Sequence, residues 1–381
     1  MIKFVVTRNG QEADIRFPCE EKDIRRVQDK LGIPYETDTR VKVLAVDSDI
    51  EQLSVLEGQT ADMDFLNLLG RLMYGMDEHE YSQFRMGLYH ETVFDLKDII
   101  NITRAVNRYS IITDDLHESG LDHELDVRGG IPTSEVDVTD YSIVARKLLD
   151  SGKCEDTPYG KLYVNEEIPI EEFFDGKHMP PYFDRQFQVA CFLENDTDRD
   201  FIMLPCTDEE LLRSAKRLGT SFPYDLKVSI EDFCDHNNEL IVKLIKNADV
   251  YALNTYSQVV DRFDDDERDK FMNVLSYIDR SFRDVGGLGS LSAATRIGSN
   301  LEAFSFYPNV MCDDDLGMTH LEEHDVPEEL WEYFDTERYG EDIRNEENGQ
   351  FTENGYVGIC DHQLLRHCLT QNQSQGMGGM V

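Results

Sequence analysis

Positive charge is scarce in this chain. Only 37 Lys and Arg stand against 77 Asp and Glu over 381 residues, a formal net charge of −40. A deficit of that size repels nucleic acid and anionic lipid, works against folding through self-repulsion, and favours a partner with a basic groove. Long apolar runs are missing too. No stretch approaches the roughly 20 residues of a membrane helix, and the N-terminus lacks the basic start and apolar run of a signal peptide. A soluble, cytosolic protein is expected. The eight cysteines (Cys19, Cys154, Cys191, Cys206, Cys234, Cys312, Cys360, Cys368) form no C-x-x-C pair, which argues against zinc or disulfide frameworks and predicts reduced, mostly core thiols.

Apolar residues, by contrast, are sufficient. A hydrophobic fraction of 40%, with 17 Tyr and 20 Phe in periodic segments, argues against disorder despite the charge. The length predicts two or three compact units, each with its own core.

An internal repeat organises the chain. Shifting the sequence by 187 positions aligns residues 2–88 with 189–275 without a gap, and 18 of the 87 positions are identical, where chance gives about five or six. Pro18-Cys19 falls on Pro205-Cys206, Leu31-Gly32 on Leu218-Gly219, Ala61-Asp62 on Ala248-Asp249, and Leu66-Asn67 on Leu253-Asn254. Each copy reads as a β-hairpin (2–17 and 187–204), a helix (21–31 and 208–218), a short strand (41–46 and 227–230), and then several helices. The expected fold class is α+β: an elongated, internally duplicated protein of small mixed sheets and helices. Copy one spans 1–165, a connector 166–186, copy two 187–360, and a tail 361–381, frayed after Leu369.

The carboxylates cluster. Copy two carries Asp264, Asp265, Asp266, Glu267 and Asp269, then Asp313, Asp314 and Asp315, then Glu322, Glu323, Glu328, Glu329, Glu332 and Asp335. Copy one has a sparser set that includes Asp77, Glu78, Asp114 and Asp115. Helical carboxylates at i and i+3 or i+4 stand about 5–6 Å apart, comparable with neighbouring phosphates on a DNA strand. An ordinary solvated helix face would neutralise such charge with nearby Lys and Arg, and few are present. These 18 residues are therefore the candidate partner-binding, phosphate-mimicking surface. Forty net charges match roughly 70 Å of duplex.

Catalytic and metal motifs are weak. His320, Glu323 and His324 fit the H-x-x-E-H zinc-peptidase pattern, which leaves a metal-dependent hydrolase as the rival of another class. The segment ends at Val326-Pro327, however, with little room for the long helix that site needs, and copy one has no counterpart. Asp196, Asp198 and Asp200 imitate the start of a calcium loop, but Phe201 and Thr207 occupy the positions that need Gly and Glu; a hairpin tip is expected. Gly286-Gly287-Leu288-Gly289-Ser290 lacks the remaining residues of a nucleotide loop and reads as a helix-to-helix link. The segment Phe304–Pro308 reads as core and turn. No catalytic residue, metal or cofactor is expected.

Copy two also carries a family pattern: Asn300 to Val310 (NLEAFSFYPNV), Asp315-Leu316-Gly317, Pro327 to Leu330 (PEEL), Tyr333-Phe334-Asp335, Tyr339-Gly340, and Phe351-Thr352 followed by Gly355-Tyr356. In this order the motifs resemble the ArdA antirestriction proteins over about 190–360, with a weaker version over 1–165. Copy one departs most at Ile111-Ile112-Thr113, where copy two has Phe306-Tyr307-Pro308. The resemblance implies an acidic, elongated DNA mimic of a mobile element or phage, acting without chemistry in the bacterial host cytoplasm. It would occupy the DNA groove of a type I restriction–modification enzyme. A CRISPR effector or another nucleic-acid-sensing defence system is the alternative target. Because the family's usual unit is one copy per chain in a dimer, two copies imply a single-chain pseudo-dimer, with further homodimerisation left open.

Overall fold

The structure is a computed structural model that describes residues 1–34, 39–182, 185–234, 239–246, 248–282 and 288–370. The chain forms two compact units. Unit 1 comprises Met1–Pro180, Thr197–Asp200 and Thr207–Pro223; unit 2 comprises Pro181–Asp196, Phe201–Cys206 and Tyr224–Val381.

Unit 1 opens with the strands β1 (Ile2–Arg8) and β2 (Gln11–Phe17), joined at Asn9 and Gly10, whose φ angles of 54° and 76° suit a tight hairpin turn. Alternation places Phe4 and Val6 of β1 and Ala13, Ile15 and Phe17 of β2 in the core. Helix α1 (Glu21–Leu31) packs against β2 and buries Ile24, Val27 and Leu31, as a 3.6-residue period requires. It stops at Gly32 in the left-handed conformation. Strands β3 (Arg40–Asp47) and β4 (Thr60–Asp62) complete an antiparallel sheet in the order β2-β1-β3-β4.

Helices α2 (Met63–Tyr74), α3 (Glu78–His90) and α4 (Leu96–Ile102) follow. Asp62 caps α2 by accepting the Asp64 N–H, and Asp77 with Glu80 forms a capping box on α3. Strand β5 (Tyr109–Ile112) leads into α5 (Leu116–Arg128), the single turn α6 (Thr133–Val136) and α7 (Ser142–Asp150), and then β6 (Cys154–Thr157) and β7 (Gly160–Val164). The three strands pair in the order β5-β7-β6. Helix α5 meets α7 through Gly120, where a Cβ would lie 2.0 Å from the Tyr141 carbonyl oxygen; only glycine permits that approach. In the segment expected as a connector, Phe174 and Met179 are buried, and the Asn101 side chain hydrogen-bonds both the N–H and the C=O of Phe174.

Beyond it come β8 (Phe187–Phe192), β9 (Asp200–Leu204) and α8 (Asp208–Arg217). Helix α8 belongs to unit 1, and unit 2 continues with β10 (Lys227–Phe233), α9 (Glu239–Ile245), α10 (Val250–Val260), α11 (Asp265–Ser281) and α12 (Leu291–Gly298). It ends with β11 (Phe304–Pro308), α13 (Asp313–Glu323), α14 (Thr336–Glu346), β12 (Gln350–Thr352), β13 (Gly355–Ile359) and α15 (His362–Thr370).

The sheets of unit 2 run β10-β8-β9 and β11-β13-β12, the orders seen in unit 1 without β4. Asn67 bonds the N–H and C=O of Cys19 at 2.8 and 3.1 Å, and Asn254 does the same to Cys206 at 2.8 and 2.9 Å. Asp264 and Glu267 repeat the capping box of Asp77 and Glu80. The α13–α14 crossing uses Gly317 and Gly340 as α5–α7 uses Gly120, with a Cβ on Gly317 falling 2.0 Å from the Thr336 oxygen.

Some expectations fail in detail. All eight cysteines are free thiols, but only Cys191, Cys206 and Cys368 are core residues; Cys234, Cys312 and Cys360 are exposed. The segment 361–381 contains α15, which buries Leu365 and Cys368. Its end, residues 371–381, and Gly286-Gly287 of the glycine segment lie outside the described residues. Among the described residues, no helix is long and apolar enough to cross a membrane.

Candidate functional site

Helix chemistry accounts for part of the acidic set. Asp264 caps α11 through the Glu267 N–H at 2.8 Å, and Glu267 returns a bond to the Asp264 N–H. Asp77, Asp115 and Asp335 are N-caps of the same kind. Asp265, Asp266, Glu267 and Asp313 to Asp315 fill first turns, where the helix dipole favours negative charge. Asp313 is further neutralised by Arg344, whose Nε and Nη2 donate to its two oxygens at 2.7 and 3.1 Å. Asp314 accepts from the Thr336 hydroxyl, and Glu323 from the Tyr307 hydroxyl at 2.7 Å.

Much of the set nevertheless stays open to solvent. Asp265, Asp266 and Asp269 on α11 are exposed, as are Glu322 and the loop residues Glu328, Glu329 and Glu332 between α13 and α14. Residues 313–347 hold 15 Asp and Glu against Arg338 and Arg344 alone, and Arg344 is committed to Asp313. The corresponding segment of unit 1, residues 114–150, holds ten against Arg128, Arg146 and Lys147. Arg128 there is paired with Glu124 and Glu135. Asp114, Asp115 and Glu78 are exposed in unit 1. Unit 2 therefore presents the denser and less compensated carboxylate surface.

Its geometry follows from two close-packed helices. Gly317 and Gly340 let α13 and α14 cross in backbone contact, so the acidic residues of both helices are carried on one close-packed pair joined by the loop. Asp325, at φ 53°, turns the chain out of α13. The only tryptophan, Trp331, donates its indole N–H to the Val326 carbonyl at 2.8 Å and pins the loop.

The H-x-x-E-H residues sit elsewhere than a zinc helix would hold them. Glu323 is the last residue of α13 and His324 its C-cap. The Nδ1 of His324 is 2.8 Å from the His320 carbonyl oxygen, the His320 ring packs against Tyr307 and Tyr339, and Glu323 is engaged by Tyr307. Among the described residues, no group of three or more His, Cys, Asp or Glu is placed to hold a metal ion.

One ionic feature escaped the sequence. Within unit 1, Arg213 of α8 donates Nη1 and Nη2 to the two oxygens of Glu21 at 2.9 and 2.7 Å, and Nε to Asp64 at 2.8 Å. Arg217, one turn on, grips Asp200 at 2.8 and 3.0 Å and Asp64 at 2.9 Å. Asp200 is fully buried and also accepts the Met179 N–H; of the three aspartates expected at a hairpin tip, Asp196 and Asp198 lie in the β8–β9 connection and Asp200 opens β9. Burial works against the charge of Asp64, but Arg213 and Arg217 outweigh it and hold its carboxyl below the usual range. The neighbouring Asp62 is pushed up to about 6 by burial and by the charge of Asp64.

The network opens on a cleft of about 750 Å³ whose charged lining is Arg40, Lys97, Lys177, His178, Arg213, Lys216 and Arg217 with Asp62, Asp95 and Asp198. Lys97 is paired with Glu172, His178 with Asp175, and Arg217 with two aspartates. Arg213 and Arg217 at its wall are thus neutralised from within the protein. Two arginines at i and i+4 on one helix, opposite Asp64 in the first turn of another, were the available signal.

The described residues thus define a class: an acidic α+β protein of several small sheets and helices, with weakly compensated carboxylates on α13, α14 and their loop. Residues 191–358, a little under half of the chain, match the family model of the antirestriction protein (ArdA). A comparison with curated proteins gave no match.

Proposed function

We propose that the chain is a non-enzymatic DNA mimic that inhibits a type I restriction–modification enzyme by occupying its DNA-binding groove. The observation that carries this reading is the surplus of exposed carboxylates on α13, α14 and their loop, inside the segment that matches the ArdA family model. A groove built for phosphates offers basic side chains at close spacing, and an element with 15 acidic residues and one uncommitted arginine complements it. Unit 1 supplies a second, sparser set. The matching sheet orders, caps and glycine crossings of the two halves support two copies acting as a pseudo-dimer within one chain.

The structure refines which residues to test. Asp264 and Asp313 have structural partners, whereas Asp265, Asp266, Asp269, Glu328, Glu329 and Glu332 can be reversed without breaking a cap or an ion pair. Reversal of the last three to Lys should abolish inhibition of DNA cleavage by a purified type I enzyme while the circular dichroism spectrum stays native. Full inhibition by that variant would remove the proposal.

A further inference from the structure

Charge alone does not distinguish one basic groove from another. The α13–α14 loop carries something that duplex DNA does not: Leu330, Tyr333 and Phe334 are 47, 77 and 45% exposed, interleaved with Glu328, Glu329, Glu332 and Asp335. Apolar exposure is concentrated where the acid is. Residues 114–150 and 313–347, under a fifth of the chain, hold eight of the twenty large hydrophobic side chains that are exposed among the described residues.

The exposure is built into the fold. The Trp331 indole is turned inward on Val326, and the glycine crossing fixes the ends of the loop, so its neighbours are held outward. Unit 1 repeats the arrangement. Pro132 precedes a short turn as Pro327 does, and six residues after it Val138 stands 82% exposed where unit 2 has Tyr333.

We infer that Leu330, Tyr333 and Phe334 form an apolar anchor that seats in a hydrophobic pocket lying between the cations of the partner's DNA-binding groove. The inference rests on the mimic reading above and adds to it the recognition element. Charge complementarity selects the occupant: a surface ringed by carboxylates favours a basic partner over an acidic one. An aromatic cluster surrounded by polar groups has the composition of an interface centre within its rim. Phosphate-like charges supply the salt-sensitive attraction and the on-rate. The anchor supplies a salt-insensitive part that other basic proteins, lacking the pocket, do not receive.

The test is equilibrium binding of the full chain to a purified type I restriction–modification enzyme at several salt concentrations. Wild type is compared with the triple variant Leu330→Ser, Tyr333→Ser, Phe334→Ser and with Glu328→Gln, Glu329→Gln, Glu332→Gln. The apolar variant should bind at least about 30-fold more weakly, the level that marks an anchoring side chain, with the wild-type salt slope. The glutamine variant should lose salt slope instead. Melting curves establish that both fold. Unchanged affinity of the apolar variant, with wild type binding, overturns the inference alone; absence of wild-type binding removes the mimic reading and the inference with it. Sedimentation velocity supplies the remaining outcome: a wild-type dimer that the apolar variant dissolves would make the patch a contact between copies and overturn the inference.

Discussion

Replacing Arg213 with Ala should be among the most destabilising single changes in unit 1. Its side chain is 3% exposed, Glu21 10% and Asp64 13%, and three hydrogen bonds of 2.7 to 2.9 Å join them. Removing one partner of a buried pair leaves an uncompensated charge, at about 3–5 kcal/mol. Arg217 still faces Asp64, so the lower end applies to that carboxylate, but Glu21 is left with burial that already raises its pKa. Urea unfolding followed by far-ultraviolet circular dichroism should show a midpoint lowered by more than about 1 M. The fluorescence of Trp331, which lies in unit 2, identifies any transition of that unit separately. Adding Glu21→Gln and Asp64→Asn should recover part of the loss, because the stranded charges go with it. A cost below about 1 kcal/mol for Arg213→Ala, or no recovery in the triple variant, would refute the assignment of the stability to buried charge.

Three further outcomes are expected. Gly317→Ala places a methyl 2.0 Å from the Thr336 oxygen; it should force α13 from α14, destabilise unit 2 by about 1–3 kcal/mol or more, and shift Trp331 emission. His79 has its pKa raised above 6.5 by a hydrogen bond to Asp126, opposed by burial and helped by Asp122 and Asp77. A raised folded-state value means the contribution is complete below the unfolded pKa and is lost as pH rises through the folded one. The thermal advantage of wild type over His79→Gln should therefore be largest below about pH 6.5 and shrink above it; a constant difference across that range would contradict the ion pairs. Affinity capture from a host carrying several defence systems separates the targets: recovery of restriction–modification subunits supports the proposal, and recovery of a CRISPR effector alone favours the alternative.

Local chemistry was legible in the sequence. The alternation of residues 2–17 around Asn9-Gly10 gives the hairpin β1–β2, and the 3.6-residue spacing of Ile24, Val27 and Leu31 with Gly32 beyond gives α1. At the offset of 187, Asn254 bonds Cys206 as Asn67 bonds Cys19, and Asp264 with Glu267 caps a helix as Asp77 with Glu80 does. Tertiary pairing was not legible. Glu21 and Arg213 are 192 residues apart, and a charged residue in an amphipathic helix looks solvated until its partner is known. Asp200 looked like a turn residue for that reason and is instead buried under Arg217. The acidic clusters were visible as charge, but only the geometry separates Asp264 and Asp313, which stabilise helices, from Glu328, Glu329 and Glu332, which face solvent.

The most direct measurement is the affinity of the full chain for a purified type I restriction–modification enzyme between about 50 and 200 mM salt, with and without competing duplex DNA. The account predicts that affinity falls at least about 100-fold over this range, and that duplex and protein displace one another competitively. Affinity that stays flat with salt, or a ternary complex of enzyme, duplex and this chain, would contradict it.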